Sequence, residues 1–458
     1  MNSTSTSSCP ALPPTAMEPP SVARSARGQA AIRGGIFGNY VDQINIFLPV
    51  TALAPALVTV AGPHAGVTTG AFVIMATLLG RPLGSMIFGR ISDRVGRTST
   101  TKVAIAGTAA CSLAIAMVPA HNVIGAASIA AVIALRFLGG VFLAGEYTSA
   151  IPLAMEWSAP RRRGLVSGLI MSMAPWAQAT IAAVTLVLLT VLGPTTYAQW
   201  GWRASFAAGG IASLVLLVYY TRRVADAPLF LREQAAAAPD AASQPRLLAI
   251  LFGAHSRTFW QVFLLMSGLW IMTNMVVIVL ASRLVSTVGL DARQVSIVMV
   301  VASCVQAVGM AISGHLSTLV GRRRYYIGYG LLASVAAPML WLVVMGSAGA
   351  LAASLVTSVL HLVTVCAYGP IGAYLNERFA TSVRATGYGT AYSLSLVVPA
   401  LYPYYLPTLQ GWLGVNGAVD GLLILAGLLV SLGAFTGPSV DSHAGLESTA
   451  ASPGRQPA

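Results

Sequence analysis

Apolar runs of bilayer-spanning length recur along this chain, and they limit its fold more than any other feature. The hydrocarbon core of a bilayer is about 30 Å thick and takes roughly 20 helical residues to cross. Runs of that order occupy residues 33–60, 67–88, 101–119, 123–155, 165–193, 203–220, 258–281, 294–317, 325–346, 350–376, 384–411 and 416–436. Only 9% of the 458 residues are charged and 56% are hydrophobic. A soluble chain carries about a quarter charged residues, so this one cannot cover a water-facing surface. A membrane β-barrel would show alternating segments of about ten residues, whereas these runs are continuous. The expectation is an all-α membrane protein with twelve transmembrane helices.

The polar segments divide the chain. Residues 1–30 are rich in Ser, Pro and Ala and lack an apolar core, so a disordered tail is expected rather than a signal peptide. The longest internal polar segment, 221–257, carries Arg222, Arg223, Arg232, Arg246 and Arg257 and separates six runs from six. The expected organisation is a tail (1–30), a six-helix bundle (31–220), a linker (221–257), a second six-helix bundle (258–436) and a second tail (437–458). Two repeats support paired, pseudo-symmetric halves. Gly89-Arg90-Ile91-Ser92-Asp93-Arg94-Val95-Gly96-Arg97 shares its glycine, serine and final arginine positions with the stretch Gly314–Arg322. Glu156 and Arg163 recur at the same spacing as Glu377 and Arg384. Internal duplication of this kind is common in secondary transporters.

The net charge of +13 lies in loops, which speaks against nucleic acid as a partner and for membrane orientation. With the N-terminus inside, nearly all loop arginines become cytoplasmic. Arg203, Arg283 and Arg293 are the exceptions, so both termini are expected in the cytoplasm.

Ionisable residues inside the spans are expensive and tend to be functional. Asp42, Arg81 and Glu146 fall on three different helices, each roughly 12–15 Å from the cytoplasmic end. Asp42 or Glu146 is a candidate to take up a proton. Arg81 and Glu146 read equally as a fixed packing pair. Arg136, deeper still, is a candidate for an anion or for helix packing. Asn39, Gln43 and Asn45 make the first span polar enough for a cavity wall. Trp176, Gln178, Trp270, Asn274, Tyr388 and Tyr392 are further candidates for substrate contact. Tyr402, Tyr404 and Tyr405, near Pro399, Pro403 and Pro407, read as an interfacial belt at a broken helix end. Cys9, Cys111, Cys304 and Cys366 have no metal-type or disulfide spacing. The six histidines are scattered, and no nucleophile arrangement stands out. No enzyme activity, metal or cofactor is expected.

The loop Gly89–Arg97 resembles the signature between the second and third helices of the major facilitator superfamily. Several stretches are similar to its metabolite:proton symporter branch, which includes permeases for citrate, α-ketoglutarate, shikimate and betaine/proline. They are Gly38–Asp42, Arg81–Gly84, Arg136–Gly140 with Gly145-Glu146, Arg163-Gly164, Trp200–Arg203, Arg222-Arg223 with Ala227–Phe230, Tyr368–Pro370, and Glu377 with Arg384–Gly387. Three places depart from the branch. Asn45 stands where a second acid is common, Gln43-Ile44 replaces an aromatic pair, and the second-half loop has Thr318 and Leu319 in place of Asp93 and Arg94.

The resemblance implies two six-helix bundles rocking about a central site. Gly89, Asp93, Arg94, Gly96 and Arg97 would latch the cytoplasmic side, with Glu156, Arg163, Glu377 and Arg384 adding charge contacts. It also implies proton-coupled symport of a small organic acid, with Asp42 and Glu146 as the proton sites. Alternatives are a betaine- or proline-like zwitterion, uncoupled facilitation, export, or use of the fold as a receptor. A monomer in a bacterial inner membrane, in contact with lipid, is the expected setting.

Overall fold

The computed structural model describes residues 21–63, 67–228, 230–231, 247–253 and 255–438. Much of the expected tails and linker, including Arg232 and Arg246, lies outside them. Six helices form the first half: α1 (Ser21–Thr51), α2 (Val67–Val95), α3 (Arg97–Met117), α4 (Ala127–Trp157), α5 (Pro160–Thr196) and α6 (Trp202–Arg223). The second half repeats the pattern with α7 (Ser256–Thr273), α8 (Ala292–Val320), α9 (Arg322–Met345), α10 (Ala350–Val363), α11 (Arg384–Leu394) and α12 (Val415–Phe435).

Backbone polar groups have no water partner in hydrocarbon, so each span satisfies them within a helix. Outward faces carry exposed apolar side chains such as Leu186, Val191, Val215, Val335 and Leu351, which suits contact with lipid.

Ten helical stretches among the described residues are long and apolar enough to cross a membrane. One of them, Pro160–Arg223, contains both α5 and α6. Gly193, in the left-handed region at φ 75°, breaks it ahead of a π-turn at Tyr197–Gly201. The eleventh crossing is assembled from pieces: α11, a short turn Val397–Ala400 and a helix Tyr402–Leu413. Twelve crossings result. Two expectations need revision. Helix α1 begins at Ser21, inside the stretch expected as a disordered tail, and 384–411 is interrupted rather than continuous. Prolines 399, 403 and 407 remove donors from that segment and account for the interruption.

Each bundle packs on itself: α2 and α3 against α4 in the first half, α7 and α9 against α12 in the second. Glycine permits the tightest approach. A Cβ on Gly84 would lie 2.1 Å from the Val141 carbonyl oxygen, and one on Gly140 2.2 Å from that of Thr77. Small residues at such crossings bring helix backbones together. Two crossings join the bundles, α5 with α8 and α2 with α11, and they are related by the duplication. In the first, a Cβ on Gly168 would meet the Met310 carbonyl at 2.6 Å. Gly168→Leu is therefore expected to wedge α5 from α8 and prevent the bundles from closing at this contact. Restriction of the cross-bundle distance by cysteine pairs should disappear in the variant while it still inserts in the membrane.

Candidate functional site

Two assemblies lie between the bundles: a cavity, and a network of ion pairs at the arginine-rich face. The cavity has a volume of about 140 Å³ and is lined by both halves. Its aromatic wall comprises Phe47, Tyr147, Trp270, Tyr368 and Tyr392. Tyr147 of α4 stacks on Tyr392 of α11 with ring centroids 4.5 Å apart, joining the two bundles. Trp270 packs edge-on to Tyr368 and Tyr392 at 5.5 and 5.2 Å and donates its indole N–H to the Tyr392 carbonyl at 3.2 Å. The polar wall is neutral: Asn39, Gln43, Gln178, Thr273 and Gln306.

Charge lies just behind these walls. The Arg81 guanidinium sits over the Tyr147 and Tyr392 rings, 5.7 and 5.8 Å from their centroids, and its buried Nε has no hydrogen-bond partner. Asp42, one turn of α1 from Asn39, is 2% exposed and meets the Glu146 carboxyl side chain to side chain. Glu146 Oε1 lies against α1, 3.0 Å from where a Gly38 Cβ would stand. The Tyr220 hydroxyl of α6 is close by, 3.2 Å from a Cβ built on Gly34. Among the described residues no ion pair joins Arg81 to Glu146. Arg81 instead faces Asp42 electrostatically and the two tyrosine rings.

The other sequence candidates distribute unevenly. Gln178, Trp270 and Tyr392 line the cavity. Tyr388 is fully buried beside Tyr392 and stacks behind it, centroids 6.1 Å apart. Asn45 turns away from the cavity, bonding Ser213 of α6 at 3.1 Å and Ser112 of α3 at 2.6 Å. Arg136 donates to Thr77 Oγ1 at 3.0 Å and to the Asn45 carbonyl at 2.9 Å, which binds α4 to α2 and α1. Trp176 is 41% exposed and Asn274 is buried on a π-turn, both outside the cavity lining. The reason is helical phase: of 39, 43 and 45 only the first two share a face, continued by Phe47.

Sequence reading missed Tyr147, Tyr368, Thr273, Gln306 and His361. His361 is fully buried in α10, with Nε2 donating to the Val276 carbonyl at 3.1 Å and Nδ1 2.8 Å from Gln306 Oε1. The spacing of residues 39, 43 and 47 was a usable signal for Phe47. Gln306 and His361 offered none, because their contact is made between helices.

At the arginine-rich face each of the duplicated loops packs against a helix start of the other bundle. Asp93 reaches across to the N-terminus of α11. It accepts from the Ala385 and Thr386 backbone N–H groups at 3.0 and 2.9 Å and from Thr386 Oγ1 at 2.8 Å. A carboxylate there satisfies free amides and opposes the positive end of the helix dipole. Gly89 makes this approach feasible, since its Cβ would lie 2.7 Å from Thr386 Cα. Gly96, at φ 118°, turns the chain into α3. Arg97 pairs with Asp93 at 3.2 Å and with Glu156 at 2.9 Å. Arg94 is exposed.

Each glutamate then binds an arginine of the other bundle. Glu156 takes Arg384 at 2.9 Å, and Glu377 takes Arg163 at 3.3 Å along with Arg322 of its own half. The spacing Glu156–Arg163 and Glu377–Arg384 is thus realised as exchanged pairs. The halves are not equivalent. At the place of Asp93 the second loop presents Thr318, whose hydroxyl would lie 2.1 Å from a Cβ on Gly164 at the start of α5.

Known proteins share this framework. The chain is 26% identical to the inner membrane metabolite transport protein YhjE of Escherichia coli (strain K12) over 406 residues, covering 86% of this chain and 90% of that one. It is 27% identical to the alpha-ketoglutarate permease of the same organism over 337 residues, 72% of this chain and 73% of the permease. With the Proline/betaine transporter of E. coli (strain K12) it shares 25% identity over 342 residues, 73% and 66% of the two chains. The proton:xylose symporter XylE superimposes with a TM-score of 0.72 at 16% identity, covering 90% of this chain and 95% of that one, a likeness of fold. Residues 43–403 match the Major Facilitator Superfamily. The duplicated six-helix bundles, the cavity between them and this match together make the chain an integral membrane transporter belonging to the Major Facilitator Superfamily.

Proposed function

We propose that this transporter moves a small organic acid together with a proton, by alternating access, across a bacterial inner membrane with both termini in the cytoplasm. The arginine-rich face is then the cytoplasmic one, held shut here by the exchanged glutamate–arginine pairs. The central observation is the arrangement of Arg81 and Asp42–Glu146 directly behind the cavity. Arg81 supplies positive charge to a carboxylate resting on the Tyr147 and Tyr392 rings. Two buried carboxyl groups side by side favour a proton on one of them, because two ionised carboxylates repel. Arg81 faces Asp42, so an anionic substrate drawing on Arg81 changes what the acid pair experiences. That shared arginine is a physical route for coupling substrate to proton.

The relatives' printed functions, metabolite transport and alpha-ketoglutarate permeation, agree with a carboxylate cargo. A zwitterion such as a betaine is a second reading, favoured by the aromatic wall. Trp270, Tyr368 and Tyr392 present ring faces and edges of the kind that hold a quaternary ammonium, at roughly 0.5–2 kcal/mol per ring.

Uptake by purified protein in proteoliposomes with an imposed pH gradient, over a panel of mono-, di- and tricarboxylates and betaines, tests the proposal. Accumulation of a carboxylate that follows the gradient is expected. Arg81→Gln is expected to raise KM for the carboxylate by roughly 10–100-fold, the scale of one charge-assisted contact. Trp270→Ala should raise it more for a betaine than for a simple carboxylate. Uptake indifferent to the pH gradient would defeat proton coupling. Uptake of betaines alone would move the assignment to the second reading.

A further inference from the structure

The second bundle's wall of the cavity holds a hydrogen-bonded pair, His361 and Gln306, to which the transport scheme above gives no part. Gln306 of α8 lines the cavity. Its side-chain amide lies 2.8 Å from Nδ1 of His361, on α10. Across the ring, Nε2 is 3.1 Å from the Val276 carbonyl, in the π-turn that follows α7. His361 is fully buried. The groups around the pair are neutral. Cys366 Sγ lies 3.5 Å from the Gln306 backbone carbonyl, and Tyr329 of α9 donates its hydroxyl to the Leu362 carbonyl. Among the described residues no carboxylate pairs with His361. An imidazolium there would be a buried charge without a counter-ion, which is costly, so the ring is uncharged.

The hydrogen bonds then fix one another. A backbone carbonyl can only accept, so the single ring proton sits on Nε2 and Nδ1 is a lone pair. Gln306 Oε1 is the end placed toward that lone pair, and two acceptors facing each other repel. A half-turn of the amide exchanges its oxygen and nitrogen with almost no change of shape. The NH2 group then donates to Nδ1, and the carbonyl oxygen takes the other end, where Gln306 borders the cavity. The remaining donors of this wall are mostly spent inside the protein. The Trp270 indole N–H goes to the Tyr392 carbonyl. The Thr273 hydroxyl has the Leu269 carbonyl at 2.9 Å and the Tyr368 oxygen at 3.3 Å as acceptors. Tyr368, as an acceptor in that contact, keeps its own O–H.

We infer that His361 holds Gln306 with its carbonyl oxygen toward the cavity, and that the cargo is a monocarboxylate bearing a hydroxyl group. This rests on the carboxylate reading above and narrows it. The carboxylate goes toward Arg81, and the hydroxyl donates to Gln306 Oε1 while it can accept from Tyr368. A second carboxylate at this wall would meet a carbonyl oxygen and be repelled. An ammonium would find no carboxylate among the neutral lining residues of the cavity. His361 touches no substrate and acts as a positioning residue. Without its lone pair the amide of Gln306 is free to turn either end to the cavity, and an acid lacking the hydroxyl is then no longer at a disadvantage.

The test measures binding of two matched pairs of acids to the purified full chain by titration calorimetry: lactate with propionate, and 3-hydroxybutyrate with butyrate. Within at least one pair the hydroxylated acid is expected to bind roughly tenfold tighter, the scale of one hydrogen bond. Gln306→Leu should remove that preference. His361→Leu should remove most of it while leaving the Kd of the plain acid little changed. The ring is read separately, without ligand, by nitrogen-15 NMR of histidine-labelled protein, the His361 signals being those missing from His361→Leu. A bare Nδ1 and a protonated Nε2 are expected between about pH 5 and 8. Equal affinities within both pairs, or an unaltered preference in Gln306→Leu, overturn the inference and leave carboxylate transport standing. So does an imidazolium at position 361, or a His361→Leu protein that binds every acid weaker by one common factor, since that is the mark of a purely structural role. Failure of all four acids to bind a protein that binds betaines overturns the carboxylate reading itself, and the hydroxy acid with it.

Discussion

Glu156→Gln is expected to open the arginine-rich face and to slow transport sharply. The Glu156 carboxylate is the buried meeting point of Arg97 from its own bundle and Arg384 from the other, with no side-chain exposure on any of the three. Removing one partner of a buried ion pair costs about 3–5 kcal/mol, because the remaining charge stays buried without compensation. Arg97 keeps Asp93, but Arg384 loses the carboxylate that ties it across the interface. The variant can recover solvation by separating the bundles here, so the loss falls on the closed state. A bias of roughly hundredfold or more toward the open state follows.

Spin labels at positions 90 and 324, both exposed and one in each bundle, should show the short cross-bundle distance of the parent replaced by a longer one. Glu377→Gln should act in the same direction through Arg163 and Arg322. Combining Glu156→Gln with Arg384→Gln should recover part of the closed population, since the cation that lost its cross-bundle carboxylate is then gone. A distance distribution identical to the parent's in Glu156→Gln would show that the exchanged pairs do not hold the face shut.

Asp42→Asn is expected to abolish accumulation while sparing exchange. If one proton accompanies each uncharged equivalent of substrate, a gradient of one pH unit drives about tenfold accumulation, worth about 1.4 kcal/mol. The amide keeps the size and hydrogen-bonding capacity of Asp42 but cannot take up and release a proton. The variant should therefore equilibrate labelled substrate across the vesicle without concentrating it. Counterflow of labelled against unlabelled substrate should continue, because the cavity lining of Asn39, Gln43 and the aromatic wall is untouched. Glu146→Gln should behave similarly if the two carboxyls work as a pair. Parental accumulation in both variants would remove Asp42 and Glu146 from the coupling mechanism.

The sequence by itself determined the class of the protein, for a simple physical reason. Hydrocarbon tolerates only closed backbone hydrogen bonding and few charges, so length and polarity of the runs carry the crossings, the halves and the duplicated loops. The cost of burying charge likewise made Asp42, Arg81, Glu146 and Arg136 stand out before any contact was known. Sequence reading failed wherever the answer depended on which way a helix faces or which helix lies opposite. Asn45 and Asn39 are equally polar and close along α1, yet one ties together helices of its own bundle and the other borders the cavity. Glu156 and Arg163 sit near each other in sequence, but each binds a partner supplied by the other half. Tyr147 became part of the cavity wall only because Tyr392 lies against it from α11. These are contacts between residues far apart in the chain, set by the packing of one bundle on the other, and only the tertiary structure decided them.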